Sequence, residues 1–276
     1  MTPLRLLDLF SGIGGFSLGL ERSGAFKTVA FCEIEPFPRK VLRKHWPDVP
    51  IYDDVRTLTA ERLAADGITV DAIFGGFPCQ DISYAGKGAG LDGKRSGLWF
   101  EYARIVGELA PLVIVVENVR ALLSRGLDAV LGTLASLGYD AVWDDISAED
   151  IGAPHPRSRI WIVAYARRAR LEGQRLAIRI QKEIANARRS NDVANSSFIA
   201  RLLRMGKRGL GSVVNGEHDR PAWAGQQWPK TEPLLYRVDD GIPNRVDRTS
   251  ALGNAVVPQV VEAIGRAIAA SMEATQ

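Results

Sequence analysis

Short apolar runs separated by longer amphipathic segments constrain this chain more than any other feature. Leu4–Leu9, Thr28–Cys32, Val70–Phe74, Leu112–Val116 and Ile160–Ala164 are nearly continuous in Val, Ile, Leu, Ala and Phe. Phe16–Arg22, Pro36–His45, Ser96–Leu109 and Ala121–Leu137 place apolar residues at helical spacing. Strands apolar on both faces need helices on both sides, which predicts an α/β fold with a doubly wound, mostly parallel sheet. Ligands of such sheets lie beyond the carboxyl ends of the strands, so chemistry is expected there.

After Ala166 the apolar alternation stops. From Arg167 to Arg220 there are 13 Lys/Arg against 5 Asp/Glu, while the rest of the chain holds 22 against 27. A basic module beside an acidic one suits a polyanionic partner, and also suits a merely solvated face. The expected organisation is a catalytic and cofactor-binding domain at 1–165, a second, smaller domain at 166–245, and a segment at 246–276 that rejoins the first. Pro258 stands near the start of the last helix, which should run to about Met272. No run of about 18 apolar residues and no leader-like start is seen, which predicts a soluble, cytoplasmic protein without membrane contact. The two cysteines, Cys32 and Cys79, lack metal-ligand spacing. No metal is expected.

Three loops at the expected ligand edge carry reactive groups. The first strand runs into Asp8-Leu9-Phe10-Ser11-Gly12-Ile13-Gly14-Gly15-Phe16. Glycines at a strand-to-helix turn make a tight turn, or admit a ligand close to the backbone at a helix N-terminus. Glu33, 21 residues beyond Gly12, stands where an acidic group meets ribose hydroxyls in dinucleotide folds. Position 17 is Ser, so the G-x-G-x-x-G spacing of a plain NAD site is not met. The second loop, Gly75-Gly76-Phe77-Pro78-Cys79, offers a thiol that is either an inert core residue or, if partly exposed beside basic groups, a nucleophile. Cys32, inside a strand, reads as core. In the third, Val116-Glu117-Asn118-Val119, Glu117 is an acid/base candidate or a helix-terminal charge.

Taken in order, these segments resemble the cytosine-5 DNA methyltransferase family. Asp8–Gly15 is similar to its cofactor loop, Pro78-Cys79 to its catalytic Pro-Cys pair, Glu117-Asn118-Val119 to its ENV tripeptide, and Gly253-Asn254-Ala255-Val256 to its carboxyl-terminal motif. The match covers about Leu4–Ala164 and Val246–Gly265. The resemblance implies a Rossmann-like fold and S-adenosylmethionine as cofactor. Phe10, Gly12, Gly15, Val55 and Pro78 would line its site, with Glu33 on the ribose, Ile34 on the adenine face and Asp54 on the adenine amine. Asn254 and Val256 would close the site from the far end of the chain.

The resemblance also implies the chemistry: Cys79 attacks C6 of a flipped cytosine, Glu117 engages N3, and the methyl group goes to C5. Gly152–Arg159 resembles the family's G-x-P-Q-x-R-x-R segment, with His155 for Gln, and implies Arg157 and Arg159 near the target base and its phosphate. The helix that usually precedes the last motif is shortened here to Arg245–Thr249. The 166–245 domain would recognise the target in double-stranded DNA, in a bacterial or phage-encoded monomer serving restriction-modification or acting alone. An enzyme acting on tRNA cytosine and a silent DNA-binding protein of the same fold are the alternatives.

Overall fold

The computed structural model describes residues 2–78, 97–153, 157–167, 175–189 and 245–273, except the side chains of 245, 246, 248 and 249. Strands β1 (Leu4–Leu9), β2 (Phe26–Cys32), β3 (Ile51–Tyr52), β4 (Ala72–Gly75), β5 (Val113–Val119), β6 (Tyr139–Ile146) and β7 (Arg159–Ala166) form one sheet in the order β3-β2-β1-β4-β5-β7-β6. The first five are parallel; β7 runs antiparallel to both β5 and β6.

Alternate residues of each strand feed two separate cores, as the period of two requires. On one face Leu7, Leu9, Ile73, Ile114, Val116 and Ile162 pack against α3 (Ala60–Ala65), α4 (Leu98–Leu109) and α6 (Leu127–Ser136). On the other, Leu6, Phe74, Val115, Trp161 and Val163 pack against α1 (Gly15–Arg22) and α9 (Pro258–Glu273). The sheet is therefore covered on both sides. Helix α2 (Pro36–His45) opens with proline at its first turn and closes with Arg43, Lys44 and His45, which suit the negative end of the helix dipole.

The helix expected over Ala121–Leu137 is two helices, α5 (Leu122–Arg125) and α6, because Gly126 between them takes φ 153° and breaks the ladder. Two strands escape the sequence pattern. β3 is only two residues long, and β6 is a half-exposed edge strand carrying Asp140, Asp144 and Asp145 among its apolar residues.

Of the expected 166–245 domain, residues 168–174 and 190–244 lie outside the described residues. Residues 175–189 form a helix, α7, whose Leu176, Ile180 and Ile184 fall four apart and are buried in the same core as Phe16, Trp161 and Ile264. This part of the basic segment packs on the sheet.

The carboxyl-terminal segment forms α8 (Arg245–Asn254) and α9, and α9 packs into the core beside α1. Ser250–Glu273 is apolar enough by composition to cross a bilayer, yet α9 lies against α1 in the core. The two helices meet through glycines. A Cβ on Gly19 would sit 2.4 Å from the Pro258 carbonyl oxygen and 2.6 Å from Val261 Cβ. Gly19→Ala is thus expected to overpack the crossing and cost about 1–3 kcal/mol. Thermal unfolding would read this as a melting point several degrees lower; an unchanged transition would show that the helices separate freely.

Candidate active site

The register of the parallel strands gathers their last residues at one edge. Leu9 pairs with both Cys32 and Gly75, Gly75 with Val116, and Cys32 with Tyr52. The segments leaving the sheet there contain Phe10–Gly12, Glu33-Ile34, Asp53–Val55 and Gly76–Pro78, and β5 runs on past β4 through Glu117–Val119. Because β7 is antiparallel, its first residue, Arg159, joins the same edge opposite Val119.

The glycine loop is fixed by its own backbone and by three side chains. Phe10, Gly12 and Gly14 all have positive φ, at 53°, 53° and 85°. Only glycine takes that region without cost, so Phe10 is strained, and its ring stacks over Tyr102 at 6.5 Å. Ser11 Oγ donates to the Asp8 carbonyl, and the Gly12 N–H donates to Glu33 Oε2 at 2.7 Å. The other Glu33 oxygen accepts from the Glu35 N–H. Burial pushes the Glu33 carboxyl above its ordinary range, and these backbone donors offset only part of that rise. Beside it, Ile34 is 55% exposed, an apolar side chain open at the strand end. A Cβ on Gly12 would meet no atom within 4 Å, whereas one on Gly15 would meet Val256 Cγ2 at 2.9 Å. One face of the loop is open and the other is closed by the carboxyl-terminal motif.

Asp54 and Val55 lie at the end of β3. Both Asp54 oxygens are engaged by Arg56, with Nη2 at 2.6 Å, which holds the carboxyl below its usual range. Val55 is buried, and its carbonyl accepts from Arg104. Arg56 is the more exposed member of its pair, so an amine reaching Asp54 would compete with a solvated guanidinium.

Glu117 lies within β5 opposite Trp161, which excludes the helix-terminal alternative for it. It is 9% exposed, and Arg159 Nε reaches its Oε1 at 2.9 Å. Burial pushes its carboxyl up, while the Arg159 and Arg157 guanidiniums pull the other way. Gly76 makes the approach possible, since a Cβ there would stand 2.7 Å from Glu117 Oε2. Asn118, 2% exposed, donates from Nδ2 to the Phe77 carbonyl at 3.1 Å, tying β5 to the segment that leads through half-buried Pro78 into Cys79. Cys79 itself, like Pro154-His155-Pro156, lies outside the described residues. Beneath the two loops, Phe10, Tyr102, Trp99 and Phe77 form a row of ring contacts. Cys32 is buried between β1 and β3, its thiol pushed up to about 12, as befits a core residue.

Two buried residues were not singled out from the sequence. Asp8 is fully buried; one carboxyl oxygen accepts from Ser17 Oγ at 2.7 Å, while the other has no hydrogen-bond partner. Burial pushes it up to about 8, so it is protonated near neutrality. The available signal was a single carboxylate inside the otherwise apolar run Leu6–Leu9. Ser17, the residue that breaks the dinucleotide glycine spacing, is its partner. The Arg157 guanidinium donates to the carbonyls of Gly253, at 2.9 Å, and Ala255.

Set against known proteins, residues 4–215 match the profile of the C-5 cytosine-specific DNA methylase family. The chain belongs to that family. It is 34% identical over 178 residues to the type II methyltransferase M.NlaIV of Neisseria lactamica, covering 59% of this chain and 41% of the relative. To the type II methyltransferase M.Eco47II of Escherichia coli it is 39% identical over 165 residues, covering 58% of this chain and 39% of the relative. The chain thus spans about two fifths of the length of such relatives. Among solved structures, an E. coli prophage-encoded protein described as a DNA modification methyltransferase superposes with a TM-score of 0.53 at 28% identity, covering 61% of this chain and 48% of that one. The Rossmann-like methyltransferase fold is therefore shared.

Proposed function

We propose that this chain methylates C5 of cytosine in double-stranded DNA, using S-adenosylmethionine. The observation that carries the reading is the buried Glu117 carboxyl paired with Arg159, at the strand edge where the segment ending in Pro78 and the open glycine loop also converge. The residues fit the cofactor. Open space at Gly12, the Glu33 carboxyl with lone pairs left for ribose hydroxyls, and the exposed Ile34 suit a nucleoside. Val256 against Gly15 bounds the same site. When bound, S-adenosylmethionine supplies an electrophilic methyl group.

C5 of cytosine is a weak nucleophile until the aromatic ring is broken. The Cys79 thiolate forms a bond to C6, and the C5=C6 electron pair moves into the ring toward N3. Glu117, protonated or sharing a proton, donates to N3 and offsets that charge, with Arg159 fixing the carboxyl and adding positive potential. C5, now enamine-like, takes the methyl group. Its proton then leaves to a base or water, the C6–S bond breaks to restore the thiolate, and N3 returns its proton to Glu117. C6 is unreachable in a stacked duplex, so the nucleotide must be flipped out at a cost of a few kcal/mol. The basic 166–245 segment supplies DNA backbone contacts and the choice of sequence, and the protein works in the cytoplasm as a monomer.

Expression in a methylation-free host followed by bisulfite sequencing tests the reading and reveals the recognition sequence. Labelled cofactor offered with duplex DNA or with tRNA completes the test. Label on DNA alone is the expected result. Label on tRNA alone would move the substrate class, and label on neither would leave a DNA-binding protein without this activity.

A further inference from the structure

Arg157 connects regions of the site that are far apart in sequence. Its guanidinium bonds the carbonyls of Gly253 and Ala255, the two residues that flank exposed Asn254 at the carboxyl end of α8. Helix-terminal carbonyls lack partners within their own helix, and here the one guanidinium nitrogen Nη2 donates to both. The Ala255 N–H is bonded back to Ala251, and Val256 then abuts Gly15 in the glycine loop. At its other end Arg157 stands two residues before Arg159, the partner of Glu117. Arg157 holds φ at 29°, a left-handed conformation that a non-glycine residue adopts at a cost.

We infer that Arg157 is a positioning residue: by holding the backbone around Asn254 it presses Val256 onto Gly15, so that the cofactor side of the site is built from the same loop that delivers Arg159 to Glu117. This assigns it a role other than contacting a DNA phosphate. The inference rests on the S-adenosylmethionine reading above. It predicts that losing Arg157 damages cofactor binding even when no DNA is present.

The test is isothermal titration of the full chain with S-adenosylmethionine, without DNA, for wild type, Arg157→Lys and Arg157→Met, together with the salt dependence of DNA binding. Bonds to a charged donor are worth about 1.5–3 kcal/mol, so Arg157→Met should weaken cofactor binding about 10–100-fold, with Arg157→Lys intermediate. The slope of log K against log salt should not change. Unchanged cofactor affinity would overturn the inference, and a salt slope shallower by about 0.9 would then place Arg157 on a phosphate. If Arg157→Met does not fold, hydrogen exchange of residues 251–257 in Arg157→Lys decides. Faster exchange at the Ala255 amide supports the strut, and unchanged protection removes it. A wild-type protein that binds no S-adenosylmethionine would instead sink the functional reading, and the exchange measurement would still judge Arg157.

Discussion

Duplex DNA carrying 5-fluorocytosine at the methylated position should become covalently attached to this protein in the presence of S-adenosylmethionine, in a complex that survives denaturing electrophoresis. The reason lies in how the cycle ends. Expulsion of the thiolate requires C5 to lose its substituent as a cation, which hydrogen can do and fluorine cannot, so the C6–S bond persists. Cys79→Ala should abolish the complex and reduce methylation to background, the largest effect expected of any single substitution here. Cys32→Ala should leave trapping intact, because Cys32 is buried mid-sheet with its thiol pushed up to about 12. A trapped complex persisting in Cys79→Ala would assign the nucleophile elsewhere. Absence of trapping at a demonstrated methylation site would overturn attack at C6.

Glu117→Gln should slow methyl transfer by roughly 10²–10⁴-fold, the range for loss of a positioned acid or base, while leaving cofactor affinity close to wild type. Glutamine keeps the shape beside Gly76 and can still face Arg159, but it has no proton to give to N3. The pH profile sharpens the test. Burial raises the Glu117 carboxyl from its ordinary range, so its proton is held to higher pH and lost as pH rises through that raised value. Transfer that depends on protonated Glu117 therefore declines along that alkaline limb, and Glu117→Gln should lose it. A variant with a near-normal rate would reduce Glu117 to a structural partner of Arg159.

Much of this was written in the chain, for reasons that differ from place to place. Leu4–Leu9 and Leu112–Val116 announce buried parallel strands because both faces must be apolar, and their observed cores follow that alternation. Pro36–His45 and the helix beginning at Pro258 are legible from proline at the first turn and apolar spacing. The edge strand β6 was illegible because half-exposure permits Asp at positions where an inner strand needs Val. Glu33 and Glu117 stand out in the sequence because each directly follows an apolar run, and Cys79 because it closes a Gly-Gly-Phe-Pro segment. What no local pattern gives is which side chains meet. The reach of Arg157 to Gly253, 96 positions away, and the clearance that Gly76 leaves for Glu117 come only from packing. Asp8 belongs to the same class, a carboxyl placed by the strand period into the apolar face that receives Ser17.

The reversed direction of β7 has a consequence for how this site tolerates change. Parallel neighbours deliver only their final residues to the ligand edge, and loop length then affects where the next group lands. Here the cation enters at the beginning of a strand, and unbroken pairing from Val113 opposite Tyr165 to Val119 opposite Arg159 sets its height beside the acid. The Glu117–Arg159 spacing is thus decoupled from the length and composition of the connection at 147–158. Insertions or substitutions in that connection can alter what approaches the target base while the acid and its guanidinium stay in register.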